Sequence, residues 1–386
     1  MGGKKVRKSY FDLDLLVIIF VFMGISCFYI YSAQKYLPYG TPFAMKQAIF
    51  FCVGLLLTSI VYYFDFSQIK KLSMYLYLFG IGLLAFLLVA PESIAPITKG
   101  AKSWFQLPGF SVQPSEFMKV FLILFLAKMI CSHHDKFKRI QSIKTDIYLI
   151  VKLGIVTLLP IGLILMQSDA GTAMVITAIL IGMIFVSGIN WKIISTLVIL
   201  GILTVGILAF IYIYHTNLLL SFLGEYQLNR IHAWMDPFNF SEGYQLKNSI
   251  LAIGSGMETG AGFNKGVMYV PEAHSDFIFT VIAEEGGFLV ASIVIFLYFM
   301  IIYKIIAIAT LNKGEYERFI CIGIISMLTF HIFENIGMVM GLVPITGIPL
   351  PLLSYGGSSV LGTLLALSIV LNISAKTKKY MFSREY

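Results

Sequence analysis

Long apolar runs broken by short polar segments dominate this chain, and the length of those runs sets the reading. A bilayer core of roughly 30 Å asks for about 20 apolar residues per helix. Stretches of that kind fall near 13–33, 47–64, 72–90, 115–131, 147–165, 170–187, 193–214, 277–303, 318–341 and 358–374, and they read as about ten membrane-spanning helices. Most connections are short, so successive helices are expected to be antiparallel neighbours. Two segments, 91–114 and 215–276, are long enough to form structure of their own. In the larger one, Leu246, Ile250 and Ile253 recur at helical spacing, which predicts a short amphipathic helix lying at the membrane surface. Gly254, Gly256, Gly260, Gly262 and Gly266 follow it. No strand precedes them and no βαβ unit surrounds them, so a hinge or a close backbone approach explains them better than a dinucleotide fingerprint. No soluble domain can be cut out. The expected fold is an all-α polytopic membrane protein, one membrane domain over 1–386, with a large structured outer loop between helices 7 and 8.

Composition agrees: 58% of residues are hydrophobic and 12% charged, with a mean hydropathy of +0.86. The net charge of +8 does not signal nucleic-acid binding, because the basic residues are spread over short loops and not gathered on one soluble face. Orientation explains them better. Lys4, Lys5, Arg7 and Lys8, then Lys70 and Lys71, then Lys136, Lys138 and Arg139, and finally Lys376, Lys378, Lys379 and Arg384 all fall on one side if both termini are cytoplasmic. The first apolar stretch follows a basic start but lacks a small-residue cleavage site, so it reads as an uncleaved first helix. Cys27, Cys52, Cys131 and Cys321 have no metal-ligand spacing and read as inert core residues.

The residue types able to do chemistry gather on the opposite, outer side. Lys99, Lys102, Gln113, Ser115, Glu116 and Lys119 form one group; Glu116 and Lys119 can face each other as their helix enters the bilayer, as an ion pair, as substrate contacts or as both. Asp169 either caps the helix that follows or faces a cavity, where it could hold a metal or orient a basic residue. Arg230 is either a solvated surface residue or a guanidinium for a phosphate or pyrophosphate. Asp276 stands where the polar loop meets the membrane, either as a helix cap or as a general base whose proton affinity desolvation would raise. Glu284 and Glu285 follow within the next helix, and at least one should line the bundle interior or a wet cavity. Asn335, the Pro- and Gly-rich run 344–351 and Ser354 to Ser359, with Ser358 among them, form a re-entrant stretch expected to wall the same outer cavity.

Taken together, the strings KGAKSW…QPSEFMK, QSDAGTA, DFIFTVIAEE, NIGM and PITGIPLPLLSYGGSS, in this order between about residues 10 and 375, resemble the SEDS family of bacterial shape, elongation, division and sporulation proteins typified by RodA and FtsW. The stretch Pro91 to Pro96 leading into KGAKSW is nearer RodA of Gram-positive bacteria. The resemblance implies a peptidoglycan glycosyltransferase that polymerises lipid II outside the cytoplasmic membrane, beside a class B penicillin-binding protein and other elongasome or divisome membrane proteins. It places the family's essential loop aspartate on Asp276 and a second acidic position on Glu272. Lys119, Glu116, Arg230 and Asp169 fall on polar positions of the family's cavity, and Lys102 and Ser358 join them as candidate substrate contacts. The chain departs from the family pattern at Gly256 to Gly260 and at Glu285-Gly286-Gly287.

On that footing Asp276 takes the proton of an acceptor sugar hydroxyl, while Arg230, Lys119 or a divalent cation (Mg2+ or Mn2+) steadies the departing pyrophosphate. No residue is assigned as a metal ligand, and no cofactor is certain. The rival reading is a transporter that flips lipid II, and a third is a non-catalytic scaffold. Clustering of the reactive residue types on one side and the lack of an internal repeat weigh against a transporter.

Overall fold

The computed structural model describes residues 12–36, 42–98, 100–107, 109–137, 142–214 and 225–382. Lys4, Lys5, Arg7, Lys8, Lys99, Lys138, Arg139 and Arg384, singled out above, lie outside the described residues, as do the side chains of Lys378 and Lys379. Helices α1 (Leu13–Ala33), α2 (Phe43–Tyr62), α3 (Phe66–Val89), α4 (Pro114–Phe137), α5 (Ile143–Met166), α6 (Ala170–Val186) and α7 (Trp191–Tyr214) fall where the first seven apolar runs predict them. Two short helices follow, α8 (Glu225–Met235) and α9 (Tyr244–Ser255), and then α10 (Ile278–Leu311), α11 (Glu315–Val339) and α12 (Gly357–Phe382). Eight of these helices are long and apolar enough to cross a membrane. The other two expected spans are α6, apolar but only 17 residues, and α4, whose 24 residues rise about 36 Å but include Glu116, Lys119 and Lys128.

Lipid, not water, surrounds these helices, so apolar residues cover every side of them and packing is decided by shape. Helix α12 runs through the middle, against α2, α4, α10 and α11, while α4 and α11 pack on α6 and on each other. Small residues set the closest crossings: a side chain at Gly54 would collide with Leu364, and one at Gly182 with Ser326. Helix α7 has no buried residue. Cys131 and Cys321 are buried as expected, whereas Cys27 is half-buried and Cys52 exposed; Cys52 stands on an outward face of α2, so the core reading fails for it.

Both long loops carry regular structure among their described residues. Residues 91–114 include an antiparallel hairpin, β1 (Phe105–Leu107) with β2 (Phe110–Val112), and Phe105 packs with Leu87, Ala90 and Ala95. The helix expected from Leu246, Ile250 and Ile253 is α9, but it packs on α10 and α11. Its fully buried face carries Leu246, Ser249 and Ala252, so protein and not lipid covers it. Serine makes that docking specific: Ser249 Oγ meets Thr280 Oγ1 at 2.7 Å and donates to Val339 O at 2.8 Å.

Helix α10 breaks at Gly287, whose φ of 68° and ψ of −172° belong to a region essentially confined to glycine. The glycine run explains the break. Segment 256–262 lies across it, with Ala261 N and Gly262 N donating to the carbonyls of Glu284 and Glu285, and Phe288 N and Leu289 N donating to those of Met257 and Glu258. Of the two readings of that run, the structure shows close backbone approach: a Cβ at Gly256 or Gly260 would collide with backbone of Ala283 or Glu285.

Candidate active site

The re-entrant segment 344–352 is irregular backbone at the heart of the bundle, and four of its carbonyls and one N–H are met by five side chains. Arg230 Nη1 donates to Ile345 O at 3.0 Å. Asn335 Nδ2 donates to Ile348 O at 2.7 Å, and the ring of His331 stands 3.3 Å from Pro349 O. Tyr298 Oη donates to Pro351 O, and the Leu350 N–H is taken by Ser354 Oγ at 2.7 Å. Without such partners, backbone polar groups at this depth would cost several kcal/mol each.

Asp276 sits in the turn 271–277, just before α10. Glu272, with a left-handed φ of 56°, starts the turn by accepting from Ser275 N and Phe277 N. Helix α9 holds its approach through Gln245 Nε2 on Pro271 O and Asn248 Nδ2 on Tyr269 O. Asn335 closes it: the same Nδ2 that grips Ile348 O also donates to Asp276 O at 2.7 Å. One amide therefore sets the register between the aspartate and the re-entrant segment. The Asp276 carboxylate faces Gly347; a Cβ there would lie 3.5 Å from Oδ2, and the φ of 75° at Gly347 already disfavours a side chain. Asp276 and Glu272 are both half-buried.

Below this turn lies a buried charged chain. Lys119 Nζ donates to Glu116 Oε1 at 2.8 Å and meets His331 Nε2 at 2.9 Å, and all three residues are at most 4% exposed. With Lys119 as donor, the His331 proton sits on Nδ1 and points at Pro349 O, linking α4 to the re-entrant segment. The ion-pair reading of Glu116 and Lys119 thus holds in the geometry. Residues beyond this chain toward the C-terminal end of α4 and the N-terminal end of α11, namely Ile123, Leu126 and Ile130 on α4 and Ile320, Ile324 and Met327 on α11, are apolar and buried. Two clefts of about 320 and 330 Å3 lie at that end, the first lined by His133, His134, Asp146 and Arg318 and the second by Lys70, Asp135 and Glu317. Neither reaches Asp276.

Asp169 caps α6, Oδ1 accepting from Thr172 N at 3.0 Å, while Oδ2 accepts from Gln113 Nε2 at 2.9 Å. Gln113 N in turn donates to Ser358 Oγ at 2.9 Å. Gly171, two residues into α6, abuts Thr346 O and Ile348, so this chain braces the far side of the re-entrant segment. Lys102 stands apart: its Nζ donates to Leu88 O and Ala90 O at the end of α3, a helix C-cap. Glu284 and Glu285 both lie inside the protein, where Glu284 Oε1 accepts from Val267 N and Met268 N and Glu285 Oε1 accepts from Ser32 Oγ and faces Lys35. They fasten loop 257–270. Two residues absent from the sequence reading join the centre, His331 and Glu334. Their signal was present: with Asn335 they are ionisable or polar residues at helical spacing inside an apolar span.

A family model described as "Cell cycle protein", covering FtsW, RodA and SpoVE, matches residues 8–379. A probable peptidoglycan glycosyltransferase FtsW of Bacillus subtilis (strain 168) is 36% identical over 97% of this chain and 93% of its own. Stage V sporulation protein E of the same strain is 33% identical over 95% and 98%. Among solved structures, a chain from a peptidoglycan synthase complex that coordinates polymerization and crosslinking superposes with a TM-score of 0.77, 26% identity and coverage of 95% and 98%. Thermus thermophilus RodA gives 0.68, 25%, 96% and 98%.

Proposed function

The chain belongs to the FtsW–RodA–SpoVE family, and from that premise we propose that it is an inverting peptidoglycan glycosyltransferase at the outer face of the cytoplasmic membrane, with Asp276 as general base. The acceptor is the 4-hydroxyl of a GlcNAc. Asp276 takes its proton as the oxygen attacks the anomeric carbon of the donor's MurNAc, the C–O bond to undecaprenyl pyrophosphate breaks, and an α-linked lipid sugar becomes a β-1,4 linkage. One observation carries this reading: Arg230 and Asp276 come to one short segment on either side of Thr346, the first on Ile345 O and the second beside Gly347. A cation that recognises pyrophosphate and a carboxylate that accepts a proton thus share one scaffold.

Lys119 contributes differently. Buried between Glu116 and His331, its charge is already matched, and it supports Pro349 from beneath. Among the described residues no three His, Cys, Asp or Glu side chains converge to hold a metal. A flippase needs a polar path to both faces; the apolar plug of α4 and α11 below His331 supports the enzyme instead. The lipid II substrate, a class B penicillin-binding protein as partner and cytoplasmic termini complete the proposal, and the Pro91 to Pro96 stretch favours the RodA branch.

The test is polymerisation of lipid II by the purified chain with its cognate transpeptidase. Asp276→Asn keeps volume and removes the base, so initial rates should fall by about 10²- to 10⁴-fold. Polymer formed at the wild-type rate by this variant would remove Asp276 from the role.

A further inference from the structure

We propose that Glu334 is a positioning residue for the transfer: through Thr346 it fixes the peptide 345–347 that sets Arg230 and Asp276 relative to each other. This rests on the glycosyltransferase reading above. Glu334 is only 5% exposed on the inner face of α11, one turn beyond His331. Thr346 Oγ1 donates to its Oε1 at 2.7 Å, and among the described residues no Lys, Arg or His forms an ion pair with it. A buried carboxylate served by one hydroxyl is a costly way to hold a loop. Asn335, the next residue, already holds the same segment at Ile348 O, so a second grip through Thr346 calls for a reason of its own.

The reason lies in what Thr346 separates. On one side of it the Ile345 carbonyl takes Arg230, and on the other Gly347 faces the Asp276 carboxylate. Its own carbonyl packs against the start of α6 at Gly171. The Thr346 hydroxyl has a single proton and two acceptors in reach, Glu334 Oε1 at 2.7 Å and Met338 Sδ at 3.8 Å. A carboxylate oxygen at the shorter distance wins that proton and fixes the rotamer. Without it, the hydroxyl falls back on a weak sulfur contact. The peptide between base and guanidinium is then free to turn, and displacement on the order of 1 Å costs about 10²-fold in rate.

The experiment is a double-mutant cycle in the lipid II polymerisation assay, with the transpeptidase present. Glu334→Ala and Thr346→Val should each lower the rate at saturating lipid II by about 10- to 100-fold while the half-saturating concentration moves less than about threefold. The double variant should be no slower than either single one, since both remove one hydrogen bond. Glu334→Gln, whose amide oxygen can still accept from Thr346, should stay within about fivefold of wild type. Losses that multiply in the double variant, a Glu334→Gln as slow as Glu334→Ala, or a Thr346→Val at the wild-type rate would each overturn the proposal. Thr346→Val is nearly isosteric and decides the matter even where Glu334→Ala does not fold. Asp276→Asn, run alongside, reports on the base separately: its activity can refute that role while the 334–346 coupling is still read.

Discussion

Replacing Gly287 by Ala perturbs the point at which α10 breaks and segment 256–262 is fastened. The residue has φ 68° and ψ −172°, which costs an L-residue about 1–3 kcal/mol. The added Cβ would also stand 2.6 Å from Glu258 O and collide with Gly260 N, which are backbone atoms with no rotamer to change. Relief requires segment 256–262 to lift, and with it go four backbone hydrogen bonds to α10, at 2.8, 2.9, 3.0 and 3.2 Å. At about 0.5–1.5 kcal/mol net for each bond, strain and lost bonds together reach about 3–9 kcal/mol. Local opening of the loop, not global unfolding, should absorb most of this. Trypsin cleavage after the exposed Lys265, followed by intact mass in detergent, reads that opening. Even the lower figure of about 3 kcal/mol predicts nicking on the order of 100-fold faster than wild type, provided that cleavage is slow compared with reclosing. Gly254→Ala is the control, since a Cβ there meets nothing within 4 Å, and it should leave nicking unchanged. Equal nicking of Gly287→Ala and Gly254→Ala would refute the claim that the break is held by the glycine run.

Three further outcomes follow from the same geometry. Lys119→Met leaves Glu116, 3% exposed, as an uncompensated buried charge and should cost about 3–5 kcal/mol in detergent unfolding; the Glu116→Gln, Lys119→Met pair should recover most of it. Asp169→Ala removes the α6 cap and the Gln113 acceptor, for about 1–2 kcal/mol by the same measurement, and Asp169→Asn should restore the larger part. Arg230→Lys keeps a charge but loses the forked donor, so the lipid II concentration at half-maximal rate should rise on the order of tenfold, about 1.4 kcal/mol.

Apolar length alone made the spans legible, because a helix bathed in lipid announces itself without periodicity, and α1, α6 and α7 begin or end within two residues of expectation. Partners were another matter. Lys102 and Arg230 read alike as cations in polar outer strings, yet one terminates α3 through Leu88 O and Ala90 O and the other reaches Ile345 O. Only the tertiary packing of α3 and α8 separates those roles. Strands of three residues, such as Phe105–Leu107, are too short for alternation to show. His331 and Glu334 were hidden by the proline- and glycine-rich run that follows them, although a titratable residue inside an apolar span is itself a strong signal. That omission exposes the organising fact of the site: the segment 344–352 has almost no side-chain chemistry of its own, and its irregular carbonyls become a scaffold only because α8, α10 and α11 each send a polar group to them, with α4 behind His331 through Lys119. The reactive residue can therefore be named from a local string around Asp276, whereas its placement depends on Asn335, Glu334 and Arg230, which are 59, 58 and 46 positions away and whose convergence no window of sequence contains.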